Sequence, residues 1–367
     1  RREQGMSRRV ALVGLSAAVA IGAILLHRYR RGRVSRGSRF DAIIRDPVAA
    51  FLRSYDLRTL SATELMDVVQ SGLQTPASLA RALAFVPRPG DVVTLTTPKT
   101  GQTLLLARLR KLSLGHGATD EQLAVDPMHG GAEDSVKWLE HAKAGAHLDD
   151  DQPGAFRVFK SHLSAQEMAA TIDAAPHAKF ITTLRAPHDL GPSLYSHMRA
   201  MYARRVGNGD ASAFDAAYAP SDFALAGPLG TYHENLLAWL ALRHRPNVMI
   251  VWFEDMLADP TTTLRQLAAF VGAELSAHLE DDTLRATSFD RMARSPAFVN
   301  VHPGSSKGGY GLGRAQLTAA AAAALDTRWR EVVAPESGAA SYEELYEQVN
   351  GRPFPIPLPR LLQHANI

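Results

Sequence analysis

The chain has 367 residues, 46% of them hydrophobic and 21% charged, which sets it among globular proteins with one large core and excludes a disordered or fibrous chain. It contains no cysteine, so disulfides and thiolate metal sites are excluded and a reducing compartment is permitted. The formal charge of +3 conceals a division: residues 1–40 hold ten arginines and one acid, +9, which leaves −6 on the rest, and a mildly acidic body offers no basic face for nucleic acid.

The basic arm, residues 1–40, contains an uncharged apolar run from Val10 to Leu26, "VALVGLSAAVAIGAILL", with Arg8 and Arg9 before it and Arg28, Arg30, Arg31, Arg33, Arg36 and Arg39 after it. About 17 residues is the lower limit for a helix that spans a bilayer, and flanking arginines can snorkel to the headgroups. The run is therefore expected to be an apolar helix, 10–26, that anchors the chain in a membrane. A secretory signal would be followed by ordinary sequence rather than an arginine cluster, whereas an organellar transit segment shares the scarcity of acids. A buried core helix is the plain alternative, and the charges at both ends argue against it. Arginine is denser on the C-terminal side, which favours a cytosolic position for the domain that follows. Met6 is a candidate start, and without Arg1 and Arg2 the asymmetry grows.

Residues 41–84 read as a helical lead-in, closed by the turn "VPRPG" (86–90). Four stretches of one design then follow. "DVVTLTT" (91–97) leads into "QTLLLARLRKL", "AFRVFK" (155–160) into "SHLSAQEMAATI", and "AKFITTLR" (178–185) into a helix with Leu190, Leu194, Met198 and Met201 at helical spacing. "NVMIVWFE" (247–254) leads into "DPTTTLRQLAAFVG", with Asp259 as N-cap, Pro260 in the first turn, Gly272 past the end, and a stripe of Leu264, Leu267, Ala268 and Val271. Continuous apolar strands alternating with amphipathic helices predict one α/β domain, residues 85–335, with a central parallel sheet flanked by helices. "LTAAAAAALDTRW" (317–329) reads as a helix, and 336–367, ending in the proline-rich "GRPFPIPLPRLLQHANI", reads as a C-terminal tail.

Ligands of such sheets bind beyond the carboxyl ends of the strands, so polar residues there are the candidates. After the first strand, Lys99, Thr100, Gly101, Gln102 and Thr103 combine helix N-terminal amides, hydroxyls and one cation, a set suited to phosphate. Lysine precedes glycine here, the reverse of a Walker loop. Arg185 and Ser193 in "RAPHDLGPS" can bracket a second anion, although Arg185 could equally cap its helix or pair with Asp189. "FKSHL" places Lys160 and His162 two apart beyond a strand. "TSFDRM" (287–292) and "SKGGYGLGR" (306–314) add a polar-aromatic patch and a glycine-rich basic loop.

These segments, in this order, resemble the cytosolic-type sulfotransferase family, which uses 3′-phosphoadenosine 5′-phosphosulfate (PAPS). "TTPKTGQT" is similar to that family's TYPKSGTTW loop, "FKSHL" to KTHL, and "LRAPHDLGPS" to RNPKDVAVS. "VWFEDMLADP" resembles YEDM-x-x-DP, "TSFDRM" resembles TSFxxM, and "KGGYGLGR" resembles KGxxGDWK. The resemblance covers residues 85–335 and implies a P-loop-kinase-like fold and a PAPS-dependent transfer to a small-molecule hydroxyl, without a metal. It implies that Lys99 to Thr103 hold the 5′-phosphosulfate and that Arg185, Ser193, Lys307, Gly308 and Arg314 bind the 3′-phosphate. Thr287 and Phe289 would lie near the adenine, Lys99 and Lys160 would neutralise developing charge, and His162 would be the general base. The chain departs from the pattern at Leu104, where an aromatic is usual, so that adenine would lose a stacking partner or Trp252 or Phe289 would compensate. It also departs at Ser306 and in "LGR".

A Golgi-type carbohydrate sulfotransferase is the related alternative, opposed by the lack of cysteine and by "FKSHL". An inactive membrane-tethered PAPS-binding scaffold is opposed by Lys99, Lys160 and His162. A nucleoside kinase would need a lysine after the glycine, and has only Glu254 or Asp255 to hold Mg²⁺. The acceptor pocket is expected from residues 113–155, including "SVKWLEHA", and 202–230, with few aromatics (Trp138, Phe156, Tyr202, Phe214, Tyr218, Phe223). His116, His129, His141 and His147 lack a tight ligand spacing and read as loop residues.

Overall fold

The computed structural model describes residues 47–53, 56–123, 136–142, 148–298 and 310–355. The apolar run 10–26 lies outside the described residues. Among the described residues no helix is long and apolar enough to cross a membrane.

The lead-in forms two capped helices, α1 (Ala62–Leu73) and α2 (Pro76–Leu83), each opened by a capping box, Ser61 with Glu64 and Thr75 with Ser78. Five parallel strands follow, β1 (Val92–Leu95), β2 (Lys137–Trp138), β3 (Val158–Ser161), β4 (Lys179–Leu184) and β5 (Val248–Trp252), in the order β2-β3-β1-β4-β5. The four strands expected from the sequence are all present. The two-residue β2 on the edge is too short to leave a periodic signal, and it falls within "SVKWLEHA". Alternation sends Val92, Val158 and Ile181 to one face and Val93, Phe159 and Phe180 to the other.

Each face is covered by helices. α3 (Gln102–Leu114) supplies Leu105, Leu109 and Leu112 to the first, together with Leu264 and Leu267 of α8 (Pro260–Val271). α4 (Ala165–Ala174) and α6 (Tyr232–Leu242) give Met168, Ile172 and Trp239 to the second. α5 (Pro187–Arg205) buries all four residues of its expected stripe, Leu190, Leu194, Met198 and Met201. α8 is built as the sequence indicates: the Asp259 carboxylate accepts from the Thr262 amide at 3.0 Å, and Gly272 ends the helix at φ +72°. Between β5 and α8 lies the short α7 (Phe253–Ala258), and beyond α8 come α9 (Ala277–Ala286), α10 (Phe289–Arg294) and the alanine-rich α11 (Ala319–Arg328).

One boundary is corrected. The stretch taken as tail from 336 instead contains a helix, α12 (Tyr342–Asn350), capped by Ser341 and closed by Gly351. Tyr342 and Tyr346 are buried against Trp252, and their hydroxyls reach Glu254 Oε2 at 3.0 Å and Asp255 Oδ1 at 2.6 Å. The short, acid-rich "YEELYEQVN" hides this, although Tyr342, Leu345 and Tyr346 join the hydrophobic core beside Trp252, Trp329 and Val333. Residues 356–367 lie outside the described part.

Tyr342→Phe therefore leaves a buried Glu254 oxygen without its partner. It should cost about 1–3 kcal/mol of unfolding free energy, read as a lower urea midpoint at unchanged slope. A midpoint equal to that of the parent protein would mean that α12 is held by apolar packing alone.

Candidate active site

The chain reverses direction after β1 through a tight loop in which Lys99 has φ +74° and Gly101 φ +107°. A positive φ is uncommon for a residue with a side chain and marks imposed strain. Glycine is required at 101 on two counts: its φ, and a Cβ there would fall 2.5 Å from the Phe253 ring and 2.9 Å from the Met256 methyl. The loop thus rests directly on α7, and the first amides of α3 open into a cavity of about 470 Å³. That is a small-molecule volume.

Side chains of the loop divide into two groups. Thr100 Oγ1 faces inward, 2.6 Å from Thr183 Oγ1 and 2.7 Å from Thr97 O, and Gln102 Nε2 donates to Ser161 O at 3.0 Å. Both fasten the loop to neighbouring strands, so Thr100 and Gln102 have backbone rather than side-chain groups to offer a phosphate. Lys99, Gly101, Gln102, Thr103 and Leu104 line the cavity. Asn235 bridges from α6, donating to Thr97 Oγ1 at 3.1 Å.

Two further cations arrive on adjacent strands. Lys160 is the penultimate residue of β3, opposite Thr94, and its Nζ sits 3.9 Å over the Trp138 indole, whose residue it faces across the β2–β3 pair. Arg185 follows β4. Its Nη1 donates to Lys99 O at 3.1 Å, its guanidinium lies 4.2 Å over the Phe253 ring, and Nε has no hydrogen-bond partner. Asp189 is 3.7 Å from Arg185, but its carboxylate is engaged by the amides of Gly311 and Gly313 at 2.7 and 2.6 Å. The expected pairing with Asp189 is therefore loose. Ser193 lies next to Arg185 in the same wall.

The cations weaken one another. Burial first, then Arg185 and Lys160, lower the Lys99 pKa to about 7. His162 is held between Thr96 O, 2.8 Å from Nδ1, and Glu140 Oε1, which accepts its backbone amide at 2.6 Å. A carbonyl can only accept, so Nδ1 carries the proton and Nε2 keeps its lone pair. Burial, Lys160 and Lys99 hold the imidazole pKa down at about 3. His162 is thus a neutral imidazole with a fixed tautomer, lining the same cavity as the lysines. Trp138 meets it edge-on, with ring centres 5.3 Å apart. Glu140 is fully buried, and that burial raises its pKa.

Other expected positions fall less centrally. Phe289 lines the cavity, and so does Thr287, but the Thr287 hydroxyl is bonded to Thr283 O at 2.8 Å. Trp252 is packed against Tyr342 and Tyr346, away from the cavity, and cannot replace the aromatic missing at Leu104. Arg314 is corrected too: its guanidinium forks onto Asp326 at 2.7 and 3.0 Å and touches His188, outside the cavity wall. Lys307, Gly308 and Ser306 lie outside the described residues, as do His129 and His147. His116 stacks on His278, and His141 is buried beside Trp138. Among the described residues no group of three or more histidine or acidic side chains could hold a metal.

Several lining residues escaped the sequence reading. Trp138 is the one aromatic of the six suspected that reaches the cavity; Phe214, Tyr218 and Phe223 are buried in the core around α5. The opposite wall comes from α1 and α5 through Met66, Val69, Leu73, Met198 and Met201. The helical lead-in expected over 41–84 contains α1, but gave no indication that its apolar face would meet a cavity.

Comparison with known proteins agrees with this geometry. A sulfotransferase domain matches residues 89–335. The 3-alpha-hydroxysteroid sulfotransferase of Cavia porcellus is 26% identical over 210 residues, 57% of this chain and 68% of that protein. Sulfotransferase 1C2 of Rattus norvegicus is 21% identical over 237 residues, 64% and 77% of the two chains. The crystal structure of mouse sulfotransferase SULT7A1 complexed with PAP, adenosine 3′,5′-bisphosphate, superposes with a TM-score of 0.52 at 18% identity, covering 72% of this chain and 92% of that one. With that domain spanning more than half of its length, the chain belongs to the sulfotransferase family, as a PAPS-dependent enzyme.

Proposed function

We propose that the protein transfers the sulfuryl group of PAPS to the hydroxyl of a small, largely aliphatic acceptor, with His162 as general base. The observation that carries this reading is the convergence of Lys99, Lys160 and Arg185 on one cavity beside a neutral imidazole of fixed tautomer. The buried, unpartnered Nε of Arg185 is a donor that an anion would satisfy.

The residues suggest a division of labour. Arg185 and Ser193 bind the 3′-phosphate, and the amides from Gly101 to Thr103 with Lys99 hold the 5′ end. His162 Nε2 takes the acceptor's proton as the acceptor oxygen bonds to sulfur and the sulfur–oxygen bond to the 5′-phosphate opens. Lys99 and Lys160 neutralise the charge that appears on the departing phosphate oxygen, so that positioning and electrostatics do most of the catalysis. The acceptor half of the cavity has thioether and aliphatic walls with Trp138 as its aromatic side, and Gln70, Gln74, His197, Arg204 and Arg205 add polar groups from α1, its C-cap and α5, which suits an alcohol with an apolar body and a polar end. The name of the Cavia porcellus relative, a hydroxysteroid sulfotransferase, is consistent with that class.

With the full chain, sulfur-35 PAPS and a panel of sterols, phenols and aliphatic alcohols, His162→Ala should lower kcat by about 10²–10⁴-fold. Its PAP affinity should stay within a few-fold of the parent protein by calorimetry. Residual turnover above a tenth of the parent rate would remove His162 from the role of base.

Lys99 gives a pH prediction. Its pKa in the empty site is depressed, to about 7, so the cation that an anionic ligand needs is present below 7 and lost as pH rises. PAP affinity should fall by roughly tenfold between pH 7 and 9, with proton uptake on binding. Lys99→Arg, always charged, should flatten the curve, and a parent protein with no such fall would show that Lys99 does not contact the nucleotide.

A further inference from the structure

The nucleotide side of the cavity contains a charged group that the reading above leaves unused. Arg108 stands on α3 one turn beyond Leu104, on the same face of the helix. It is only 3% exposed, yet it lines the cavity together with Leu104, Leu284, Thr287, Phe289 and Met292. Nη2 donates to the carbonyl of Met256 at 3.1 Å, whereas Nε and Nη1 have no hydrogen-bond partner. The other cations of this helix are engaged: Lys111 pairs with Asp282 at 2.7 Å, and Arg110 reaches Gln122 O and Pro153 O. Burial alone pulls the Arg108 guanidinium down to about 10, with no carboxylate to offset it.

An interior that leaves two of three guanidinium nitrogens unpartnered is unfavourable by itself. A purely structural role would be served as well by leucine, which α3 uses freely elsewhere. The arrangement is reasonable where a ligand completes the hydrogen-bond set. The ligand that belongs at this end, on the function proposed above, is the purine of PAPS. This is also where the aromatic residue resembled elsewhere in the family is replaced by Leu104, and where Trp252 does not compensate. Adenine presents ring-nitrogen acceptors at N7 and N3, and an arginine has only donors to give.

We propose that Arg108 is a nucleobase-binding residue of this enzyme, donating from its unpartnered nitrogens to the ring nitrogens of adenine while Phe289 packs on the face of the base. The proposal rests on the PAPS reading and adds to it a recognition element that the motif of the phosphate loop does not carry. The base would be held by hydrogen bonds and a charge rather than by an aromatic sandwich. A base without a ring acceptor within reach of Arg108 would then be discriminated against more strongly than stacking alone allows.

Calorimetry on the full chain tests it with two probes, PAP and 1-deoxyribose 3,5-bisphosphate, which lacks the base. Arg108→Met should weaken PAP by about tenfold or more, the loss of a charge-assisted hydrogen bond, and leave the base-free probe within twofold. Because the unpartnered buried charge is gone, the melting temperature of the ligand-free protein should be unchanged or higher. Arg108→Lys, which keeps the charge and some donors, should fall between the two for PAP. Equal PAP affinity in parent and Arg108→Met, or equal losses for both probes, would overturn the proposal. A lower melting temperature or a failure to fold would make Arg108 a structural residue and overturn it as well. If the parent protein binds the base-free probe but gains nothing from the base, the nucleobase site is refuted while the phosphate site stands. If it binds neither, the PAPS reading falls and this one with it.

Discussion

Lys99, Lys160 and Arg185 face one cavity that no acidic side chain among the described residues lines. Burial disfavours charge here, like charges in a poorly solvated space add to that, and the site yields where it can. Lys99 becomes a base that titrates near 7, and His162 is pressed down to about 3. On the function proposed above, a bound polyanion favours the charged form of Lys99 and offsets the cations, though not the burial, that keep His162 a weak base. Donor binding would then also raise the basicity of the imidazole proposed as general base.

That crowding persists because the acids nearby are engaged elsewhere. Glu254, raised to about 7 by burial, accepts from the Ala186 amide at 2.9 Å and pairs with Tyr342. Asp255 is engaged by Tyr346 and Arg352, and Asp189 by two glycine amides. These contacts fix the backbone where the cations emerge. Tyr232 adds to them, accepting from the Arg185 amide at 3.1 Å and donating to its carbonyl at 2.6 Å. Farther back, Asp91 and Arg157 clamp the starts of β1 and β3 with paired bonds of 2.8 and 2.5 Å. Carboxylates thus secure the frame and stay out of the cavity, and neither Glu254 nor Asp255 remains available as the metal ligand a kinase would need.

The parts of this design that were legible in the sequence are those written in a local code. Strand runs, the N-cap Asp259, the Gly272 stop and the order of lysine before Gly101 each depend on a few adjacent residues. The four main strands and the cavity positions of Lys99, Lys160, His162, Arg185 and Ser193 were accordingly predictable. What was not legible depends on distant packing. β2 has two residues and no period. α12 is held by core packing and by tyrosine hydroxyls meeting acids some ninety positions away, as in Tyr342 with Glu254. Arg314 stands in a loop that matches a phosphate-binding pattern, yet Asp326 on α11 captures it. Arg108 looks like one basic residue among three on a leucine-rich helix, and only the fold shows that two of its guanidinium nitrogens are buried without a partner.

The two halves of the cavity are built differently, and this bears on how such a site can vary. The donor half is made of strand ends, loop amides and a strained lysine, where a single Cβ at Gly101 would collide with Phe253. Geometry there is set by backbone and tolerates little change. The half proposed to take the acceptor is lined by side chains of two helices, α1 and α5, methionines together with Gln70, His197, Arg204 and Arg205. Thioethers are flexible and fill irregular spaces, so substitutions at Met66, Met198 or Met201 can reshape the acceptor wall without moving Lys99 or Arg185. The boundary between the halves is Trp138, stacked beneath Lys160 and edge-on to His162. On the function proposed above, a change there would be felt on both sides, because the same indole packs beneath the Lys160 ammonium and against the His162 ring.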